Sequence, residues 1–259
     1  MDILDFYQQY YAATASSRAY AAFCRRVFGR DFSQHGFSDM AQLDYLIEVT
    51  HMEPASRVLE LGCGNGGMAE YVSNATGASV TGIDVIPEAI RQAQARTRER
   101  KDRLAFQVAD IARLPFAPDS FDAVVSVDAL YFTDLDPTIA ELKALLTSEG
   151  QLAAFYAHGA NPETPLPVFR RETLPPDKTP LGESLQRHGF AFQVWDFTEA
   201  DYRHAQLKKR VLEDLKPEFE REGNLFLYEN RMGEALGVMA AVEAEAHARY
   251  LYLARPSAS

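Results

Sequence analysis

The chain has 259 residues, enough for one catalytic domain with additions around a full core. It is 47% hydrophobic and 24% charged, as soluble globular proteins usually are, and its net charge of −11 argues against nucleic acid or an anionic membrane surface as a main partner. Only Cys24 and Cys63 occur, in different predicted elements, so no disulfide framework is expected and a reducing cytoplasm is the better fit. No zinc-type ligand spacing appears, so no metal is expected. The start Met1-Asp2-Ile3-Leu4-Asp5 lacks the basic and apolar regions of a signal peptide, and no apolar run is long enough to span a bilayer.

Residues 1–50 read as a helical cap punctuated by Phe6, Tyr7, Tyr10, Tyr11, Tyr20, Phe23 and Phe28, whose helical spacing makes packing against a main domain the default reading. The α/β portion, residues 51–200, opens on Arg57-Val58-Leu59-Glu60-Leu61, a strand that runs straight into Gly62-Cys63-Gly64-Asn65-Gly66-Gly67 and a helix start. Glycines there let the backbone take positive φ and approach a ligand, a turn that suits a dinucleotide as well as other cofactors. The second strand, residues 78–84, ends on Asp84, where nucleotide-binding α/β folds place a ribose-binding carboxylate. The third strand, residues 104–109, ends on Asp110-Ile111, and a fourth spans residues 123–127. The basic cluster Arg96, Arg98, Arg100, Lys101 and Arg103 reads as a solvated helix end and loop.

Taken together, the blocks around residues 57–67, 78–86, 104–111 and 114–126 resemble the class I S-adenosylmethionine (SAM)-dependent methyltransferases, nearest to the small-molecule subgroup with the ubiquinone- and menaquinone-type enzymes. The resemblance covers roughly residues 57–157 and implies SAM as cofactor. It implies that Glu60 orients the methionine amino group and that Gly62-Cys63-Gly64 passes under the methionine portion. Asp84 would hold the ribose hydroxyls and Val85 would pack on the adenine. Asp110 would accept from the adenine amino group beside the Ile111 amide, with Val127 and Asp128 lining the methionine end. Related enzymes close N-terminal helices over the cofactor, which makes Tyr11 and His35, in the loop Phe32-Ser33-Gln34-His35-Gly36-Phe37, further candidates; core packing is the rival reading of each.

A helix over residues 137–146 leads to a fifth strand, residues 151–156, and strands alternating with helices imply a doubly wound, mostly parallel, seven-stranded Rossmann-like sheet. Proline-dense residues 159–179 read as an irregular loop, followed by a helix over 181–188, a strand over 190–197 and a last strand within 250–254, antiparallel in the family. Residues 201–248 form a helical insertion before the final strand and tail, 249–259; the insertion reads as a lid, or as a packing or homodimer element.

Methyl transfer from a sulfonium needs alignment and dryness more than side-chain chemistry, with a general base only where the acceptor must shed a proton. The candidates beyond the fourth and fifth strands are Tyr131, Tyr156 and His158, with Tyr131 and His158 in the catalytic role and His158 pointing towards the cleft. In the insertion, Tyr228, Asn230 and Arg231 would grip a polar acceptor, although Arg231 could equally pair with a neighbouring acid. The expected reaction is transfer to a small-molecule acceptor, an amine by preference over O- or C-methylation of an aromatic ring. A non-catalytic SAM-binding module is the rival of another class.

Overall fold

The computed structural model describes residues 2–36 and 38–257, so Phe37 of the candidate loop lies outside the described residues. Central strand β1 (Arg57–Leu61) buries its last four residues, as a strand covered on both faces must. Helix α4 (Gly67–Thr76), β2 (Ser79–Asp84), α5 (Pro87–Arg96), β3 (Leu104–Val108) and β4 (Phe121–Val127) follow. Then come α6 (Leu135–Leu145), β5 (Leu146–Gly159), α7 (Pro180–Arg187), β6 (Phe190–Asp196) and, last in the chain, β7 (His247–Pro256). The seven strands form one sheet in the order β3-β2-β1-β4-β5-β7-β6. Every pairing is parallel except those of β7, which runs antiparallel to both β5 and β6. The strand order reverses between β1 and β4, and ligands of such sheets bind in the crevice at the carboxyl ends there.

One face of the sheet packs on Ile139 and Leu142 of α6 and Leu181 and Leu185 of α7. The other packs on α4, α5 and α3 (Met40–Thr50), through Val72, Ile90 and Leu46. Trp195 lies on β6 against Tyr45 of α3, with ring centroids 5.7 Å apart, in keeping with sheet-face packing. A third core lies off the sheet. There α1 (Ile3–Thr14) and α2 (Arg18–Phe28) pack on the two helices before β7, α8 (Thr198–Arg221) and α9 (Leu225–Glu243), through Tyr20, Phe23, Leu212 and Phe219. The Glu222 carboxylate at the end of α8 accepts from the Arg18 and Ala19 amides, an anion on the exposed amides that open α2.

Two expectations need revision. β5 begins at Leu146, not 151, because its polar first residues still pair Leu146 with Phe121 before the register shifts. The basic cluster is not simply solvated: Arg96 and Arg100 both pair with Glu70, and Arg96 also donates to the Asn65 carbonyl.

Candidate functional site

A cavity of about 460 Å³ opens at the carboxyl ends of β1, β2 and β4 beneath α1 and α9. At its β1–β2 end, Gly62, Gly64 and Gly66 take φ of 65°, 54° and 76°. A Cβ on Gly62 would stand 2.6 Å from the Ala129 Cβ, so the turn accepts no side chain there. The turn closes through Gly66 N–H to the Cys63 carbonyl at 2.9 Å, and the Cys63 amide donates to the Ile83 carbonyl. Asp84 braces this turn and its own: one carboxylate oxygen accepts from the Gly64 amide at 2.8 Å and the other from the Ile86 amide at 2.9 Å. Burial raises the Asp84 carboxyl and these amides draw it back down. The side chain still reaches the cavity, as do Val85, Asp110 and Ile111.

Glu60 lies one layer behind the turn, 3% exposed, and neither carboxylate oxygen closes a hydrogen bond. Burial above all, with the charge of Asp84, pushes its carboxyl up to about 8, while the Ala69 amide tempers the rise. A buried acid with no ion-pair partner is costly to ionise.

The other end is walled by Tyr7 of α1, the loop after α2, the β4 exit and Glu234 of α9. Asp128, at φ 56° just past β4, is gripped by both terminal nitrogens of Arg249 at 2.6 and 3.1 Å. Arg249 is fully buried on β7, donates also to Ser38 Oγ and lies over the Phe155 ring. The Tyr131 hydroxyl donates to Asp128 and accepts from the Ala157 amide at 2.6 Å. Glu234 sits between two buried cations, Lys208 at 2.8 Å and Arg231.

Of the cofactor candidates, Gly62, Cys63, Gly64, Asp84, Val85, Asp110, Ile111, Val127, Asp128, Tyr11 and His35 line this cavity, and Glu60 does not. Of the acceptor candidates only Tyr131 does. His158 corrects the expectation that it faces the cleft. It shares a face of β5 with Tyr156, bonds Thr173 Oγ1 at 2.7 Å and packs by Phe169 under the proline-rich loop. Tyr156 packs behind Tyr131 in the core, and Tyr228 packs on Phe219 within the helical cap. Asn230 and Arg231 bond the ring and the carbonyl of His35 from behind and do not line the cavity, so they grip the protein's own loop. Phe32 of the candidate loop lines the cavity as well, and so do Tyr7 and Glu234, which the sequence did not mark as site residues. The sequence held one signal for the buried polar floor: Arg249, a lone charge leading into the apolar run Tyr250–Ala254. Among the described residues no cluster of metal-ligating side chains converges, and no helix is long and apolar enough to cross a membrane.

Residues 58–150 match the family model of the methyltransferase domain. Methyltransferase GfsG of Streptomyces halstedii is 33% identical over 113 residues, 42% of this chain and 41% of the relative. The O-methyltransferase resE of Aspergillus sclerotiorum is 30% identical over 151 residues, 55% of this chain and 56% of the relative. The matches thus span about half the length of these relatives. Phosphoethanolamine N-methyltransferase 2 of Haemonchus contortus, solved with phosphomonomethylethanolamine and S-adenosylhomocysteine, superposes with a TM-score of 0.75 at 18% identity, over 97% of this chain and 60% of that one. The geranyl diphosphate C-methyltransferase of Streptomyces coelicolor gives 0.66 at 14% identity, over 85% and 78%. At such identities the structural likeness carries the fold alone. Through residues 58–150 the chain thus resembles methyltransferase domains in sequence as well as in fold.

Proposed function

We propose that the chain transfers the methyl group of SAM to a small-molecule acceptor, with an amine nitrogen as first choice. Three features fit the cofactor. Asp84 keeps free lone pairs on both oxygens for vicinal hydroxyls, Val85 and Ile111 offer apolar surface beside the Asp110 carboxylate, and Glu60 is a buried acid lacking a cation. SAM supplies a methyl already activated by its sulfonium, which leaves as a neutral thioether. The protein's share is to orient the acceptor and exclude water.

The observation that carries the amine reading is the group of rings of Tyr7, Tyr131 and Phe132 at the far end of one cavity. Their π faces suit a cationic or partly charged nitrogen, while Asp128 and Glu234 beside them are paired with Arg249, Lys208 and Arg231. A second reading, O- or C-methylation of an aromatic or apolar molecule, draws on the exposed side chains of Ile3, Leu4 and Phe132 at the rim. The same proposal has residues 1–50 and 201–248 covering a SAM-binding domain of residues 51–200, with 249–259 as the closing strand and tail. It describes a cytoplasmic protein without nucleic-acid or membrane partners, open to homodimer formation, and akin to the ubiquinone- and menaquinone-type enzymes.

The test is incubation with methyl-deuterated SAM and, separately, phosphomonomethylethanolamine, sarcosine, a catechol and a fractionated metabolite extract, read by mass spectrometry. Label on nitrogen is expected. Label on carbon or oxygen alone sinks the amine reading. SAM binding by calorimetry without any labelled product reduces the chain to a binding module.

A further inference from the structure

The loop over residues 31–36 is held with unusual thoroughness. Three successive carbonyls are each tied by a buried side chain from another element: Ser33 by the Tyr10 hydroxyl at 3.1 Å, Gln34 by the Tyr20 hydroxyl at 3.0 Å, and His35 by the Arg231 guanidinium. Tyr10, Tyr20 and Arg231 are all essentially inaccessible to solvent. What these bonds fix is the ring of His35, which lines the cavity among Phe6, Tyr7 and Tyr10 at centroid distances of 5.0 to 6.0 Å. Its Nε2 stands 3.1 Å from the Asn230 side-chain oxygen, an acceptor only, a contact that favours the proton on Nε2. Nδ1 is then left as a lone pair, 3.4 Å from the Tyr7 hydroxyl, which also lines the cavity.

We propose that His35 is the proton acceptor of the transfer reaction, reached through the Tyr7 hydroxyl and set in its working tautomer by Asn230. The proposal rests on the methyl-transfer reading above. The logic is that of a base oriented by a third group, built here as Tyr7–His35–Asn230. Other polar groups of the cavity are poorly placed for the task. Glu234 is engaged by Lys208 and Arg231, and Asp128 by Arg249 and Tyr131, so both carboxylates are already committed to the protein's own donors. Among the described residues, His35 is the one histidine that lines the cavity. The titratable and charged groups around it are Tyr7 and Tyr10 of α1, Lys208 of α8, and Arg231 with its partner Glu234 on α9. Burial first, then the charges of Arg231 and Lys208, disfavour the imidazolium, so the ring stays neutral and its lone pair available.

An N–H or O–H acceptor loses one proton for each methyl it gains. The new bond to carbon forms as the carbon–sulfur bond breaks with its electron pair staying on sulfur. The acceptor's proton passes to Tyr7 Oη while the Tyr7 proton passes to His35 Nδ1. Repulsion from Arg231 and Lys208 then returns the proton by the same hydroxyl to solvent once product has left.

Nitrogen-15 NMR of histidine-labelled protein, with and without S-adenosylhomocysteine, reads the tautomer directly. A neutral His35 with the proton on Nε2 is expected across about pH 6–8. A proton on Nδ1, or a charged ring at neutral pH, overturns the proposal whether or not an acceptor is known. Turnover is then compared using phosphomonomethylethanolamine, sarcosine and a catechol as acceptors. His35→Asn and Tyr7→Phe should each lower kcat by about 10²–10⁴-fold, with SAM affinity within about twofold of wild type. Asn230→Asp, which sets a carboxylate against Nε2, should move the acid limb of the pH–rate profile upward by about one unit or more. An unchanged kcat for His35→Asn, or a loss confined to SAM affinity, overturns the assignment. A wild type that binds SAM yet methylates none of the three counts against the methyl-transfer reading, while the NMR result still decides the state of His35.

Discussion

At the β1–β2 end of the cavity the polar contacts are made largely by backbone, and at the end beneath α9 they are made by side chains. Asp84 is fixed by the Gly64 and Ile86 amides, both within 20 residues of it along the chain, and the glycine turn closes on itself. Asp128, Glu234 and His35 are fixed instead by Arg249, Lys208, Arg231 and Asn230, drawn from β7, α8 and α9. The first arrangement forms once adjacent β/α turns pair into the sheet. The second exists only when the N-terminal helices, the insertion and the last strand have all docked. A local, backbone-built end suits a cofactor with fixed chemistry, and a long-range, side-chain-built end is where an acceptor can be changed without rebuilding the sheet.

The contrast is broken most severely at Arg249. Removing the cation from Asp128 strips a buried carboxylate of its ion pair, so Arg249→Met should cost about 3–5 kcal/mol of stability by denaturant titration. Adding Asp128→Asn, which keeps a residue tolerant of the left-handed backbone there, should recover a large part of the loss. A single variant as stable as wild type would mean that the acceptor end is not held by buried charge.

At the cofactor end the expected injury is to binding. Asp84→Ala should weaken SAM by about 1.5–3 kcal/mol in calorimetry, the range for hydrogen bonds to a charged group. It also strips the Gly64 and Ile86 amides of their acceptor. Asp84→Asn, which retains one carbonyl oxygen for those amides, separates the two effects: SAM affinity should stay low while the fold recovers. Unchanged affinity in both variants would remove Asp84 from the site.

The same division decides what the sequence reveals. The turn at Gly62–Gly66, Asp84 and Asp110 each sit at a strand end, and strand ends are read from a contiguous apolar run closed by a polar or glycine residue. The sheet and the helical insertion follow from that pattern too, whereas the antiparallel direction of the closing strand is implied by the family resemblance alone. His158 misled because it also ends such a run, but β5 continues past it and alternation carries the side chain to the α6–α7 face. Asn230 and Arg231 look like a polar grip in one dimension, and only the packing of α9 on the N-terminal helices turns that grip onto His35. Lys208 and Glu234 lie in helices rich in charge, where nothing in the order of residues distinguishes a buried ion pair from a solvated one.

The effect that varies with pH, absent in acid and growing towards alkaline pH, belongs to Glu60→Gln. The Glu60 carboxyl titrates at about 8 in the fold against an ordinary value of 4.5, so between these limits the native state holds a proton that the unfolded chain has released. Stability from this group is therefore fullest below about pH 4.5, falls as pH rises through that window, and is lost above about 8. Glutamine cannot ionise, so the melting temperature of Glu60→Gln relative to wild type should rise steadily with pH and level off above about 8. A gap that stays flat with pH would mean that Glu60 is already ionised and partnered in the free protein. Ligand binding gives the complementary reading: if SAM brings its amino group to Glu60, the acid must ionise as the cation arrives. At neutral pH the wild type should then release a proton, seen as a binding heat that depends on the ionisation enthalpy of the buffer, and Glu60→Gln should bind more weakly without that dependence.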